Sequence, residues 1–328
     1  MKIAVVGLGA IGGLMAARLA AAGHAVCGLA RGATLAAVRA HGLRLTLGGQ
    51  QTSTPIQASD DARTLGPQEL VIVALKGPAL AAAAAELQPL IGVRTVVMPA
   101  MNGVPWWFLQ AAPAGLPLAD RRLASVDPDG RIEAALPLAQ VLGCVVHLTC
   151  TSPEPGVIRH GSGERLIVGE PGGGGSARLD AVCAALAQAG FQAEASTNIR
   201  RDIWFKLWGN MTMNPVSALT GAASDRILDD PLVRAFILRT MDEARQVGAC
   251  IGCQIEQSSE ARMAVTRELG GFKTSMLQDV LAARPIELDA LVGAVHEIGA
   301  RLGVATPNID ALLGLTRLMA RERGLYPA

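Results

Sequence analysis

A lysine and two asparagines in the second half of the chain share a spacing that suits proton-transfer chemistry. Lys206, Asn210 and Asn214 stand at positions i, i+4 and i+8 in a stretch rich in Trp, Phe, Leu and Met. An α-helix turns about 100° per residue, so these side chains drift by only about 40° per step and line one face. The polar stripe beside so much apolar surface predicts one wall of a cleft, with a solvent-facing helix surface as the alternative.

The choice of lysine within this stripe has a chemical reason. Of the 29 basic residues only four are lysines, and the others are arginines. A buried ammonium can lose its proton at moderate pH, whereas a guanidinium holds its proton too tightly. A chain that writes nearly all of its positive charge as arginine is expected to keep lysine where this difference matters, so Lys206 is a candidate functional residue.

A glycine-rich turn near the N-terminus predicts a nucleotide site. The run Gly7-Leu8-Gly9-Ala10-Ile11-Gly12 follows a short apolar strand and opens a helical pattern. In this G-x-G-x-x-G arrangement the glycines allow a tight turn, close approach of a pyrophosphate and close helix–strand packing. The free N–H groups at the helix start would hold the pyrophosphate. The alternative is a glycine turn without a ligand.

Three polar residues follow later strands of the same pattern. The second strand, residues 25–30, ends in Arg31, where an NAD enzyme would carry Asp or Glu for the ribose 2′-hydroxyl. A guanidinium matches a 2′-phosphate, so the sequence predicts NADP(H) as the cofactor. Lys76 and Asn102 come after two further strands, and carboxyl ends of parallel strands bind ligands in open α/β sheets.

The order of elements predicts two domains in the 328 residues. Strand and helix patterns alternate through the first half, which predicts an α/β, doubly wound Rossmann domain over residues 1–197. From residue 198 onward the apolar periodicity is helical, which predicts an all-α domain over residues 198–328. Residues 111–136 are rich in Pro, Gly and Asp and predict a long excursion.

Composition excludes several other classes of protein. Half of the residues are hydrophobic, the formal charge is +1 and only 3% are aromatic, which argues against disorder and against a nucleic-acid binder. No run is long and apolar enough to predict a membrane span. The six dispersed cysteines suggest a reducing, cytoplasmic location. In the string Cys144, His147, Cys150 the histidine faces away from the cysteines on a strand, so we expect no metal.

Taken together, these stretches resemble the ketopantoate reductase family over nearly the whole chain. The features that carry the resemblance are the glycine turn at residues 7–12, Arg31, Lys76, Asn102-Gly103, the Lys206, Asn210 and Asn214 stripe with Pro215, and Ser275-Met276-Leu277-Gln278-Asp279 followed by Glu287. Without the family, Ser275 and Glu287 would be interpreted as helix-capping residues.

The resemblance implies a fold and an activity. The fold is a Rossmann domain followed by a helical domain similar to the C-terminal domain of 6-phosphogluconate dehydrogenase. The activity is NADPH-dependent reduction of 2-dehydropantoate to (R)-pantoate, on the way to pantothenate and coenzyme A. The partner is then a small 2-oxo acid, and the apolar helical half could also supply a homodimer interface.

The resemblance also assigns roles to individual residues. Lys206 is the general acid, and Glu287 supports its contacts with the substrate. Substrate is held by Asn210, Asn214 and Ser275, with Asn102 close to both substrate and nicotinamide. The cofactor is held by the glycine turn (Gly7, Leu8, Gly9, Ala10, Ile11 and Gly12) together with Arg31 and Lys76.

Two departures from the family pattern keep alternatives open. Ser224 stands where some members carry a further substrate-binding Asn, and the excursion over residues 104–136 replaces a short loop. The alternatives are an NADPH-dependent reductase of another 2-oxo acid, a β-hydroxyacid dehydrogenase, which shares the glycine turn and a Lys-x-x-x-Asn helix, and a non-catalytic NADP(H)-binding regulator.

Overall fold

Ten β-strands form within residues 1–327, which is the part of the chain that this computed structural model describes, the side chain of Pro78 excepted. They are β1 (Lys2–Val6), β2 (Ala25–Leu29), β3 (Leu43–Leu47), β4 (Gln50–Thr54), β5 (Gln57–Ser59), β6 (Gln68–Val73), β7 (Ile91–Pro99), β8 (Gly143–Glu154), β9 (Val157–Gly169) and β10 (Gln192–Ser196).

Twelve α-helices accompany the strands in the same described part. They are α1 (Ala10–Ala21), α2 (Gly32–His41), α3 (Gly77–Ala83), α4 (Arg131–Ala135), α5 (Ala177–Gln188), α6 (Ile199–Thr220), α7 (Ser224–Asp229), α8 (Pro231–Cys250), α9 (Ser259–Glu268), α10 (Ser275–Leu281), α11 (Ala294–Leu302) and α12 (Pro307–Glu322). A 3₁₀ segment, Ala84–Leu90, continues α3, and a π-helical turn, Asp289–Gly293, leads into α11.

The parallel sheet predicted for the first half has the order β5-β2-β1-β6-β7. Its central strands β1 and β6 are paired in parallel, and residues 3–6 and 70–73 are buried. Their near-continuous Val, Ile and Leu content suits strands covered on both faces. The crossover helix α1 and the strand-helix alternation place the carboxyl ends of β1, β2 and β6 at one edge, where the glycine turn lies.

A second sheet, not predicted from the sequence, adds the order β10-β9-β3-β4, with β8 paired to β9. It begins with the hairpin of β3 and β4, whose turn residues Gly48 and Gly49 both have positive φ (57° and 81°). Two adjacent positive φ values define the type I′ turn that suits tight hairpins. The strand β4, Gln50–Thr54, is polar and almost wholly exposed, so hydrophobic alternation could not reveal it.

The chain divides into two compact units that are not contiguous in sequence. The first unit contains residues 1–101 and 129–202, and the second contains residues 102–128 and the chain from Ile203 onward. The predicted division between residues 197 and 198 therefore differs from the structure for the segment 102–128 and for residues 198–202, which belong to the first unit. The segment 102–128 joins the helices because its apolar residues belong to their core.

All four tryptophans lie in that second core. Trp106 and Trp107 of the segment 102–128, and Trp204 and Trp208 of α6, are at most 2% exposed. Phe108 stacks on Trp204 with ring centroids 5.9 Å apart. The indole N–H groups of Trp204 and Trp208 donate to the carbonyls of residues 244 and 241 in α8, at 3.2 and 2.7 Å. The two α6 tryptophans, buried and with their N–H groups hydrogen-bonded, stabilise the position of that helix.

None of the helices in the described residues is both long enough and apolar enough to cross a membrane.

Candidate active site

The glycine turn after β1 has the geometry that its three glycines require. Gly7 has φ +89°, a region that L-residues with side chains rarely adopt. A Cβ on Gly12 would lie only 1.9 Å from the Gly7 carbonyl oxygen, so α1 can approach the strand this closely only with glycine there. A Cβ on Gly9 would meet no atom within 4 Å. Packing within the protein therefore does not require glycine at position 9, because the space beside the start of α1 is open.

The turn forms one wall of a cleft in the first unit. The cleft has a volume of about 270 Å³, and its lining includes Gly7, Leu8, Gly9, Arg31, Thr34 and Leu75. Ala10 and Ile11 form the first turn of α1, which carries no acidic side chain. Open space, free helix N–H groups and the absence of acids from this turn suit the pyrophosphate of a dinucleotide. Of the predicted glycine-turn residues, Gly7, Leu8 and Gly9 line this cleft, and Ala10, Ile11 and Gly12 follow in the first turn of α1.

Arg31 lies at the rim of this cleft but has a partner that the sequence did not predict. It follows β2 and caps α2, and its guanidinium forms an ion pair with the Glu86 carboxylate. Both side chains are more than half exposed, at 62% and 55%. The sequence has no acidic residue close to Arg31. Its partner, Glu86, comes from the 3₁₀ segment that continues α3.

Lys76 lies beside the same turn. It follows β6 and stands at the N-terminus of α3, where its carbonyl accepts the N–H of Leu80 at 2.9 Å. Its neighbour Leu75 lies within 2.7 Å of the position that a Cβ on Gly7 would take. The predicted cofactor residues Arg31 and Lys76 thus belong to loops at the carboxyl edge of the parallel sheet.

In the second unit the predicted general acid, Lys206, directly contacts Asn102, which was predicted to lie near the substrate and the nicotinamide. The Nζ of Lys206 donates a hydrogen bond to Oδ1 of Asn102 at 2.7 Å, and both residues are partly buried. Lys206 is on α6 and Asn102 begins the segment 102–128, so the contact joins residues 104 positions apart. The amide oxygen therefore holds the ammonium group in one orientation.

The other polar residues of the α6 face follow along the same helix. Asn210 is partly buried, and Asn214 is 5% exposed. The Nδ2 of Asn214 donates to Oγ of Ser275 at 3.4 Å. Thr274 accepts the N–H of Leu277 at 3.3 Å and so caps α10, which fixes Ser275 as the first residue of that helix. The structure thus brings Asn214 and Ser275 together.

Glu287 follows Ser275 and α10 along the chain and belongs to the second unit. It is partly buried, follows the buried Ile286 and precedes the π-helical turn Asp289–Gly293 by two residues. Ala290, inside that turn, accepts the N–H of Val104 through its carbonyl at 2.8 Å. The segment containing Glu287 is therefore attached to the loop that carries Asn102.

Ser224 has a structural role in place of the substrate contact that some family members would suggest. Its hydroxyl donates to the carbonyl of Gly270 at 2.8 Å and accepts the N–H of Phe272 at 2.9 Å. The residue is fully buried. It fixes the loop that precedes α10, so its donor and acceptor capacity is used within the protein.

A cation that the sequence did not single out lies against α6. The Arg262 guanidinium lies 5.3 Å from the ring centroid of Phe205, and its Nη2 lies 3.3 Å from the Cβ position of Gly209. Burial lowers the pKa of this guanidinium, and within residues 1–327 its Nε is buried without a hydrogen-bond partner. An arginine in an amphipathic helix resembles a solvent-facing residue, so sequence alone gave no reason to select it.

A glycine-turn cleft and a lysine held by an asparagine amide, on a Rossmann unit and a helical unit, define a dinucleotide-dependent oxidoreductase. Two family models match the chain: "Ketopantoate reductase PanE/ApbA" over residues 3–106, and "Ketopantoate reductase PanE/ApbA C terminal" over residues 198–320. The chain belongs to the ketopantoate reductase family, and the family and fold class predicted from the sequence are confirmed.

Similar proteins span the whole length. The 2-dehydropantoate 2-reductase of Mesorhizobium japonicum is 42% identical over 99% of this chain and all of that protein. A crystal structure of a Ralstonia solanacearum MolK2 protein, provisionally described as a ketopantoate reductase, is 61% identical, covers 99% of both chains and has a TM-score of 0.95. The 2-dehydropantoate 2-reductase of Methylococcus capsulatus is 26% identical, covers 98% of both chains and has a TM-score of 0.82.

Proposed function

We propose that this protein reduces 2-dehydropantoate to (R)-pantoate with NADPH, and that Lys206 donates the proton. The observation that carries the proposal is the 2.7 Å hydrogen bond from the Nζ of Lys206 to Oδ1 of Asn102. It holds an ammonium group on the same helix face as Asn210 and Asn214, whose side chains can hold a substrate. Family membership and the Mesorhizobium japonicum relative support this choice of substrate.

The residues of the α6 face can complete the reduction of a ketone. When bound, a reduced nicotinamide would supply the hydride for the keto carbon, and the carbonyl oxygen would then need a proton. Nζ of Lys206 transfers a proton to that oxygen, and the resulting amine is reprotonated from solvent. The Asn102 amide oxygen orients Nζ, while Asn214 and Ser275 offer an amide and a hydroxyl for the polar groups of the acid.

The charge near α6 favours an anionic substrate. Lys206 and Arg262 lie on or against this helix, and both are partly buried. Cations in partly desolvated surroundings attract carboxylates more strongly than exposed cations do. A 2-oxo acid therefore suits the site better than an uncharged ketone. We assign Glu287 a role in supporting the proton donor Lys206, as the family resemblance implies.

The first unit suits the cofactor. The glycine turn would hold the pyrophosphate, and Arg31 and Lys76 would hold the adenosine side. Arg31 carries the preference for NADPH in this proposal, because a guanidinium pairs with a 2′-phosphate in a bidentate manner. Glu86 competes with the phosphate for the same guanidinium, since the two side chains form an ion pair.

We expect opposite effects from changing the two members of this pair. Arg31→Ala should weaken NADPH binding by about tenfold or more and leave NADH binding nearly unchanged, because a charge-assisted contact to the 2′-phosphate is lost. Glu86→Gln should strengthen NADPH binding by about two- to fivefold, the range for an exposed ion pair, because the competing carboxylate is removed. Dissociation constants for both cofactors, measured by protein fluorescence quenching, check both expectations.

Arg63→Ala is the matched control for this pair. Arg63 is an exposed arginine of the same unit and forms an ion pair with Asp61 at 2.8 Å. Its replacement should leave both dissociation constants unchanged. An unaltered NADPH to NADH ratio in Arg31→Ala would contradict the 2′-phosphate contact. Weaker NADPH binding in Glu86→Gln would show that Glu86 positions Arg31 and does not compete for it.

The reaction itself is tested by following the loss of NADPH absorbance with 2-dehydropantoate and a panel of other 2-oxo acids. We expect the highest kcat/KM for 2-dehydropantoate and the formation of (R)-pantoate. A higher kcat/KM for another 2-oxo acid would correct the substrate and keep the reaction class. Binding of NADPH without turnover of any member of the panel would contradict the proposed activity.

We also propose a homodimer in a reducing, cytoplasmic compartment. The exposed apolar side chains of α12 support the dimer, since Leu315 and Leu318 are each 59% exposed and lie one helical turn apart on that helix.

The proposed compartment is supported by the six cysteines, all of which are free thiols.

A further inference from the structure

The single tyrosine of the chain is attached to the π-helical turn of the second unit. The hydroxyl of Tyr326 donates to Oδ1 of Asp289 at 2.5 Å. The neighbouring carbonyl of Leu325 accepts the N–H of Ile286 at 3.1 Å. Burial raises the pKa of the Asp289 carboxyl, and burial together with Asp289 raises the pKa of Tyr326 to about 12. The C-terminal segment is thus fastened to residues 286–289 by two hydrogen bonds.

Asp289 is the first residue of the π-helical turn. Its carbonyl accepts the N–H of Ala294, five residues ahead, in the π-helical pattern. Its Oδ1 lies 3.3 Å from the position that a Cβ on Gly293 would occupy. The Asp289 carboxylate therefore lies next to Gly293, the last residue of the turn, and also accepts the hydrogen bond from Tyr326. Single π-helical turns are uncommon and often occur at functional sites.

The loop of Asn102 rests on this turn. The N–H of Val104 donates to the carbonyl of Ala290 at 2.8 Å. Gly103 has φ +86°, and a Cβ there would lie 2.5 Å from the same Ala290 carbonyl oxygen. The backbone at Gly103 is therefore packed directly against the Ala290 carbonyl, with no room for a side chain between them. The preceding residue, Asn102, accepts a hydrogen bond from Nζ of Lys206 at 2.7 Å.

We propose that Tyr326, acting through Asp289 and the π-helical turn, is a positioning residue that holds Asn102 against the proton donor Lys206. The inference rests on the proposed function for the role of Lys206, and on the contacts alone for the path from Tyr326 to Asn102. The Tyr326 hydroxyl donates a hydrogen bond to Asp289, and Asp289 begins the π-helical turn on which the Asn102 loop rests, so Tyr326 acts on Asn102 through that turn. The tyrosine side chain contributes position and no proton to the reaction.

The test is a double-mutant cycle of Tyr326→Phe and Asp289→Ala. Each single change should lower kcat by about 3- to 30-fold, the range for a residue that acts on a site through intervening contacts. The double variant should lose little more than the worse single variant, because both changes break one contact. The dissociation constant for NADPH should change far less than kcat, since the residues that line the cofactor cleft lie in the first unit. Additive losses, or an unchanged kcat in Tyr326→Phe, would overturn the proposal.

Hydrogen exchange separates positioning from a general loss of stability. The peptide that contains Val104 should exchange faster in Tyr326→Phe, because its N–H loses the fixed acceptor at Ala290. Ser259→Ala is the matched control, since it removes a similar hydroxyl–carboxylate hydrogen bond to Asp242 (2.7 Å) in the same unit. It should leave kcat and the exchange of this peptide unchanged. Unchanged exchange at Val104 in Tyr326→Phe would overturn the positioning role.

The exchange measurement does not depend on turnover, so it distinguishes the two proposals. If the protein binds NADPH but reduces no 2-oxo acid, the proposed function fails, and faster exchange at Val104 would still support the structural path. If turnover is normal and Val104 is unaffected in Tyr326→Phe, only the positioning role fails. Should Tyr326→Phe not fold, Asp289→Asn, which keeps an acceptor oxygen for the tyrosine, must retain more of kcat than Asp289→Ala.

Discussion

Lys206→Ala is expected to lower kcat by about 10²- to 10⁴-fold, the contribution typical of a general acid. The hydride step would then generate an alkoxide with no proton donor held beside it. The NADPH dissociation constant should remain near that of the wild type, because the residues that line the cofactor cleft belong to the first unit. Steady-state rates and a separate binding measurement together check both parts.

Two further variants separate proton donation from charge. Lys206→Arg keeps the positive charge but not a proton that can be released at moderate pH, so we expect its kcat to be nearly as low as that of Lys206→Ala. Lys273→Ala removes an exposed lysine of the same unit and should leave kcat unchanged. Substantial activity in Lys206→Arg would show that charge alone suffices and that the proton comes from another group.

Gly9→Ala is expected to weaken NADPH binding by about tenfold or more, equivalent to about 1.4 kcal/mol, without destabilising the fold. A Cβ at Gly9 meets no protein atom within 4 Å, so the folded chain tolerates it. The same Cβ occupies the space through which the pyrophosphate must approach the helix start. Thermal unfolding and NADPH titration of the same variant therefore give separate answers.

Gly12→Ala should show the reverse order of effects. Its Cβ would lie 1.9 Å from the Gly7 carbonyl oxygen, so the turn or the helix must shift. We expect a loss of about 3 kcal/mol in the free energy of unfolding, at the upper end for overpacking, with cofactor binding lost as a consequence. Gly172→Ala, at an exposed site in the same unit with no atom within 4 Å of the Cβ, should change neither quantity. A Gly9→Ala variant that binds NADPH normally would contradict the assignment of the turn to the pyrophosphate.

The sequence was most informative where a pattern is local. The strand, turn and helix at the start of the chain follow from apolar residues and glycines within one short stretch, and the structure has strand Lys2–Val6 and helix Ala10–Ala21 on the two sides of the predicted turn. The α6 stripe is equally local, because helical spacing alone aligns Lys206, Asn210 and Asn214. Family resemblance then supplied Ser275 and Glu287, which the residues themselves suggested only as helix caps.

What the sequence could not supply depends on contacts between distant residues. The ion pair between Arg31 and Glu86 joins residues 55 positions apart, and no pattern in the sequence around Arg31 predicts it. The polar strand β4 lacks apolar alternation and forms through its hairpin partner β3. The π-helical turn is held by Tyr326, 37 positions beyond Asp289. Such features follow from the assembled fold and are invisible to periodicity.

The segment 102–128 has a consequence for how this protein can be divided. The chain enters the second unit at residue 102, returns to the first at residue 129 and leaves it again at residue 203. Phe108, which stacks on Trp204, belongs to the segment 102–128. A fragment that starts near residue 198 would therefore lack part of its own core. A chimera that exchanges the helices with those of a relative must exchange residues 102–128 along with them.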